Sequence, residues 1–476
     1  MAEIIGRTRE KEALLRCYAS GKPEMAIVYG RRRIGKTFLI RETFNNRFDF
    51  YLTGLYNKNT RKQLENFANV LSETSGEDLN TPANWFEAFG LLKKYLLGLN
   101  KEGRKLVFLD EVPWMDSQRS DFVSALENFW NAWGSGQDDL MLVLCGSATA
   151  WMMDKILGDK GGLFNRDTER IYLEQFSLHD TEQYLLSNGI RLNRYEIAEC
   201  YMVMGGVPYY LSKLRPGLSL AQNVDNIFFK KNSLLKGEFQ HLYKALFKSS
   251  DAYVKIVEAL SKKKMGLTRS EISKATGQAD GGSLTKKLEN LINSDLVRVD
   301  NHFGRKKKEA VYQLCDFFTM FYFTYLLNQP NDENYWSNSI DHRAHTSWTG
   351  LAFEQICMAH IPQIKKRLQI TGTLSEYYAW RYFPSDQEKE SGAQIDLVID
   401  RRDEVVNLCE MKFARKPFVI TKEVAMGLEK KENKFSSTNR VEKSIHSVLI
   451  TTYPLAPGKY NASVQCVITL DDLFAE

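Results

Sequence analysis

Gly30-Arg-Arg-Arg-Ile-Gly-Lys-Thr37 places in one octapeptide the groups that hold a polyphosphate. Gly30 and Gly35 let backbone N–H groups turn inward, Lys36 adds a full positive charge, and the Thr37 hydroxyl can ligate Mg²⁺. Arg33, Ile34 and Phe38 complete the expected nucleotide contacts. A glycine turn in a basic segment would use the same letters, but two later segments argue for chemistry. Lys105-Leu-Val-Phe-Leu-Asp-Glu111 is an apolar run suited to a parallel strand buried on both faces. Asp110 falls at its carboxyl end, placed to hold Mg²⁺, and Glu111 is placed to orient or deprotonate the attacking water. Leu140-Met-Leu-Val-Leu-Cys-Gly-Ser147 is a further apolar run, and Ser147 at its end is a sensor of the γ-phosphate or the water. The three segments in this order predict ATP or GTP binding.

A second constellation lies in the last third. Glu354 falls on a helix predicted from about Ser347, sharing a face with Gly350, Cys357 and Ile361. A carboxylate on an apolar stripe needs a partner. Asp396 lies in an alternating strand, with Ile395, Leu397 and Ile399 on the opposite face. In the next strand, Val405–Phe413, the two-residue period puts Glu410 and Lys412 on one face. This Asp…Glu-x-Lys pattern behind a helical Glu resembles the PD-(D/E)XK nuclease superfamily. The resemblance implies that Asp396 and Glu410 hold Mg²⁺ or Mn²⁺ and that Glu354 completes or supports the shell. It implies that Lys412 lowers the pKa of the attacking water or stabilises a pentavalent phosphate. The sequence departs from the family pattern in carrying Ile395 where a proline commonly precedes the aspartate. Surface charges on two strands, or the fold without cutting, fit the same residues.

Other segments must position these groups. Met25–Tyr29 reads as the strand feeding the glycine loop, and a helix is predicted from Phe38. Leu173–Leu186 and Glu196–Met204 read as helices of a small lid. The chain here resembles AAA-type and STAND ATPases, which makes Arg166, with Arg170 second, the candidate arginine acting on a γ-phosphate, supplied from a neighbouring subunit. A surface arginine in a polar loop is the plain alternative. Gly205-Gly-Val-Pro208 resembles the turn that packs on adenine in STAND proteins, which assigns Pro208 to nucleotide contact; a turn between helices fits equally. From Asp251 onward short helices appear: Thr268 caps one, Glu271 sits three residues later, and Gly277 ends it. Ser283–Ile292 follows, and two strands flank the basic tip Gly304-Arg-Lys-Lys-Lys308. This is the pattern of a winged helix-turn-helix, with Lys286, Lys287, Arg305, Lys306 and Lys307 as candidates for phosphate contacts. Phe317–Tyr325 reads as a buried linking helix, and Asn328–Ser337 as a domain boundary.

Length and composition set the frame. The 476 residues suggest about three domains. No apolar run reaches the roughly 18 residues of a membrane span, so no membrane partner is expected. Seven cysteines without a CxxC pair predict reduced thiols and a cytoplasmic location. The net charge of +5 is too mild to establish nucleic-acid binding by itself. The expected fold class is α/β: a P-loop NTPase (AAA-type) parallel sheet over 1–172, a helical lid over 173–245, a winged helix-turn-helix with its linking helix over 246–328, and an α/β restriction-endonuclease-like domain over 338–476. Nearly the whole chain resembles a bacterial and archaeal family with this domain order. That resemblance implies an ATP-dependent, Mg²⁺-using ATPase controlling a nuclease-like domain that acts on nucleic acid, most simply DNA, with a homo-oligomer implied by the arginine-finger logic. The alternative is a STAND-like signalling or scaffold switch that cuts nothing.

Overall fold

The computed structural model describes residues 4–158, 163–247, 249–263, 265–304, 309–328, 331–382 and 392–476. Two compact units emerge: Met1–Gln175 with Lys244–Lys248, and Phe176–Tyr243 with Ser249–Glu476. The first is built on β1 (Glu24–Tyr29), β2 (Phe50–Thr53), β3 (Lys105–Asp110), β4 (Leu140–Gly146) and β5 (Glu169–Tyr172). They form one sheet in the order β2-β3-β4-β1-β5, parallel throughout. Every residue of β3 and β4 is buried, as their unbroken apolar runs require. Helices cover both faces. Met25, Ile27, Leu109 and Leu142 pack under helices Thr60–Ser75, Trp85–Gly98 and Phe122–Ala132. Ala26, Val28, Phe108 and Val143 pack under helices Thr8–Ala19 and Lys36–Thr43.

Two sequence expectations need correction here. The helix after the glycine loop begins at Lys36, not Phe38, because Gly35 occupies the N-cap in a left-handed conformation (φ 91°). The predicted helix from Leu173 starts only at Leu178. Residues 173–177 instead run extended from the end of edge strand β5, with the Leu173 N–H donating to the Tyr29 carbonyl at 2.8 Å, and Ser177 with Asp180 closes a capping box that fixes the later start.

The second unit opens with helices Leu178–Ser187 and Arg194–Met204. A module of short elements follows: helix Ser250–Ser261, β6 (Leu267–Thr268), helices Arg269–Thr276 and Gly282–Asn293, then β7 (Val297–Asp300) and β8 (Val311–Leu314). Its three strands are antiparallel in the order β6-β8-β7. Thr268 and Glu271 make a capping box, and Gly277 ends that helix with φ 68°. Phe317–Phe321 is helical and buried, continuing as a π-helical turn over Tyr322–Leu326. Within the segment read as a boundary, the buried carboxylate of Asp225 accepts the N–H groups of Trp336 and Ser337, at 2.9 and 3.2 Å.

Helix Arg343–Ala359 leads to β9 (Ser375–Tyr382), β10 (Ala393–Arg401), β11 (Val405–Lys412), helix Lys422–Asn439, β12 (Ser444–Thr451) and β13 (Cys466–Thr469). The sheet order is β13-β12-β11-β10-β9. The first three strands in sequence pair antiparallel and the last two join in parallel. Among the described residues no helix is long and apolar enough to cross a membrane.

Candidate functional site

The nucleotide site forms where β1 and β3 end. Gly30 (φ 140°) could carry no side chain, since a Cβ there would lie 2.4 Å from the Leu173 carbonyl oxygen. Lys36 is buried at the first turn of its helix and its Nζ donates to the carbonyls of Gly30 and Arg31, at 3.0 and 2.7 Å. Burial pulls its pKa down, against the raising effect of Cys145, Glu111 and Asp110. The Thr37 hydroxyl donates to Asp110 Oδ2 at 2.9 Å. Burial, and then the charge of Glu111, push Asp110 above the usual carboxylate range. These two oxygen donors would hold Mg²⁺ with a bound nucleotide.

Glu111 adopts a left-handed backbone (φ 49°) at the cap of a short helix with Pro113 in its first turn. Such a conformation is costly for a residue with a Cβ and is kept where function demands it. Its carboxylate accepts the Ser147 hydroxyl at 2.9 and 2.7 Å and the Ser147 N–H at 3.3 Å. Ser147 and Glu111, the residues expected from sequence to act as sensor and base, are therefore one hydrogen-bonded pair at neighbouring strand ends. Ile34 is buried and Phe38 exposed, and Arg33 sits at φ 72°. Arg166 is exposed in the turn after Leu163, whereas Arg170 is engaged by Asp167. Pro208 opens a short helix of the second unit, behind Gly206, whose carbonyl accepts the Phe176 N–H at 2.7 Å.

The C-terminal residues meet on one side of the β9–β11 sheet. Asp396 Oδ2 accepts the Met411 N–H at 2.9 Å, and the β10–β9 ladder shifts register between Ile395 and Val398. Bulges of this kind re-aim side chains beside active sites. Glu410 Oε1 takes Lys412 Nζ at 2.7 Å. Its Oε2 takes Lys431 Nζ, from helix Lys422–Asn439, at 2.5 Å. Burial pushes Glu354 up to about 8, aided by the charge of Asp396. Burial likewise pushes Asp396 up to about 6, aided by Glu410. Burial also works on Glu410, but Lys412 and Lys431 outweigh it and hold this carboxyl below its ordinary value. Among the described residues no three carboxylate, His or Cys side chains stand in a ready ligating cluster. Glu354, Asp396 and Glu410 are carboxylates, the oxygen donors a hard divalent cation takes, and the charge of Asp396 bears on Glu354 as that of Glu410 bears on Asp396.

Lys431 and Arg381 escaped the sequence reading. Both lie in ordinary polar periodicity, and only tertiary packing brings them to the carboxylates. Lys286 is exposed on helix Gly282–Asn293, and Lys287 donates to Ser283 Oγ at 2.8 Å. Arg305, Lys306 and Lys307 lie outside the described residues.

Glycine loop, Thr37–Asp110 pair, Glu111 and the parallel sheet order define the first unit as a P-loop ATPase domain. Residues 5–214 match a family described as an ATPase domain predominantly from Archaea. Over 417 residues the chain is 24% identical to an uncharacterized protein of Methanocaldococcus jannaschii, covering 86% of this chain and 87% of that protein. Similar solved structures include a Walker-type ATPase of Pyrococcus abyssi, 19% identical over 68% of this chain and 96% of that one, with TM-score 0.49. They also include Cdc6p of Pyrobaculum aerophilum, 13% identical over 68% and 94%, with TM-score 0.33. Drosophila ORC bound to DNA is 13% identical over 71% of this chain and 87% of that one, with TM-score 0.31.

Proposed function

We propose that the chain hydrolyses ATP and that its nucleotide state controls a C-terminal, metal-dependent, nuclease-like site acting on nucleic acid. The observation that carries this reading is the meeting of Asp396, Glu410 and Lys412 on adjoining strands, with Glu354 on a separate helix near enough to feel the charge of all three. Asp396 and Glu410, with Glu354, would hold Mg²⁺ or Mn²⁺. A bound ion of this kind supplies Lewis acidity and an activated water. Lys412 is already charged against Glu410 and so stands ready beside a phosphate.

In the ATPase domain, Lys36, the loop N–H groups and the helix N-terminus would grip the β- and γ-phosphates, while Glu111, oriented by Ser147, would take the proton of the attacking water. Arg166 would act from a neighbouring copy, which makes the working form a homo-oligomer. The middle module is read as a winged helix, with Lys286 and Lys287 meeting phosphates, and Pro208 as an adenine contact. Capture of Glu410 by two lysines favours a second reading, a non-cutting ATP-driven switch.

The test is cleavage of plasmid and single-stranded DNA with Mg²⁺ or Mn²⁺, with and without ATP, in wild type, Glu410→Ala and Lys36→Ala. Cutting that vanishes in Glu410→Ala and responds to Lys36→Ala supports the proposal. ATP hydrolysis without cutting under either metal replaces it with the switch.

A further inference from the structure

A cavity of about 180 Å³ opens beside Asp396 and Glu354. One wall is the C-terminal sheet, where Arg381 of β9 stands opposite Gln394 of β10 in the ladder, two residues before Asp396. The facing wall belongs to the middle module: Arg298 and Asp300 of β7 and His302 just beyond it. The walls are fastened together. The Phe303 N–H donates to the Ala379 carbonyl at 3.1 Å, and the Ala379 N–H to the Asn301 carbonyl at 3.2 Å. The Phe303 ring lies 5.5 Å from Tyr378 and 5.0 Å from Phe435. Arg298 donates to Gln355 Oε1 at 3.1 Å, next in sequence to Glu354.

The two cavity arginines differ in what they hold. Arg298 is committed to Asp300 at 2.7 Å and Gln313 at 2.6 Å as well as to Gln355. The Nε of Arg381 is buried and, among the described residues, has no hydrogen-bond partner. Burial pulls this guanidinium below its ordinary value, while Asp300, Glu354 and Asp396 act to keep it charged. A planar fork with an open N–H beside metal-type carboxylates has the chemistry of a phosphate receptor. The cavity has room for roughly six waters, the scale of one sugar-phosphate unit and far less than a duplex, and β7 of the middle module lines one side of it.

We propose that this cavity binds one phosphodiester unit of a single nucleic-acid strand, gripped by Arg381 and roofed by the middle module. The C-terminal site then takes single strands or frayed ends in preference to intact duplex. This inference rests on the nuclease-like reading of that site.

Fluorescence anisotropy of the full chain with an end-labelled single strand, and with a blunt duplex of the same sequence, tests it with Ca²⁺ replacing Mg²⁺ so that binding is read without turnover. The single strand is expected to bind about tenfold more tightly than the duplex. Arg381→Gln should weaken single-strand binding about tenfold and reduce the slope of log K against log salt by about 0.7, one phosphate contact. Arg381→Lys should keep the slope while losing part of the affinity. Equal binding of both substrates, or an unchanged slope in Arg381→Gln, overturns the subsite. Cutting that depends on Glu410, beside an unchanged slope, removes the subsite and leaves the nuclease. The slope change without any cutting keeps the subsite and removes the nuclease.

Discussion

Lys431 Nζ stands 2.5 Å from Glu410 Oε2, on the opposite oxygen from Lys412 at 2.7 Å. One carboxylate thus serves two ammonium groups from different elements. Lys412 shares the strand of Glu410, whereas Lys431 comes from helix Lys422–Asn439. On the nuclease-like reading, a divalent ion at Glu410 would have to share it with Lys431 or displace it, so Lys431 would compete with the metal. Lys431→Met keeps most of the aliphatic stem and removes the charge. Mn²⁺ affinity should rise by about tenfold, equivalent to about 1.4 kcal/mol, in a calorimetric titration with Glu410→Ala as the non-binding control. Unchanged affinity in Lys431→Met would remove Lys431 from the competition.

The ATPase site separates binding from hydrolysis. Lys36→Ala removes the buried ammonium from the loop and should abolish measurable nucleotide binding in a fluorescent-ATP titration. Glu111→Gln keeps the loop and the Ser147 contact but removes the base; ATP should still bind while phosphate release slows by about 10²–10⁴-fold. Wild-type turnover in Glu111→Gln would take Glu111 out of the chemistry.

Why the first site was legible and the second only partly so follows from where each stores its information. Gly30 to Thr37 are consecutive, because backbone N–H groups and a helix N-terminus build the cradle, and both are local. Asp110 and Ser147 could be placed because a buried parallel strand shows as an apolar run with a polar residue at its end. Glu410 and Lys412 followed from a two-residue period. Arg381 reaches Asp396 through a ladder register that shifts between Ile395 and Val398, and no local pattern encodes that shift. Edge strand β5 was missed because, of its four residues, only Ile171 is buried. Without an apolar run it reads as loop.

Gly206 tests the packing of the second unit. A Cβ there would lie 1.9 Å from the Phe176 carbonyl oxygen, a backbone atom that cannot swing aside. Gly206→Ala should cost on the order of 3 kcal/mol, as overpacking does, and lower Tm. Gly427, inside helix Lys422–Asn439 with nothing near its missing Cβ, is the contrast. Gly427→Ala should raise stability by about 0.5–1 kcal/mol through helix propensity. Equal melting temperatures for the two variants would contradict the packing at Gly206.

His360 makes the second unit acid-sensitive. Its Nδ1 lies 2.8 Å from the Ile356 carbonyl and its Nε2 accepts the Leu178 N–H at 3.0 Å, so one nitrogen donates and the other accepts. A second proton would set an N–H against an N–H, and burial holds the pKa at about 4, down from 6.5. Above the ordinary value neither the folded nor the unfolded ring is charged, and stability is full. As pH falls from 6.5 toward 4 the unfolded chain gains a proton that the folded one refuses, so stability is lost. The loss should reach about 2 kcal/mol near pH 5. His345, also held at about 4 by burial and then by Arg415, works in the same direction. Asp396 and Glu354, pushed up to about 6 and about 8, work in the opposite one. The informative comparison is therefore urea unfolding of wild type against His360→Met at about pH 7.5 and 5. His360→Met should be less stable near neutrality, because the Leu178 N–H loses its acceptor, yet lose about 2 kcal/mol less than wild type on acidification. Parallel losses in the two proteins would show that His360 takes up its proton while folded.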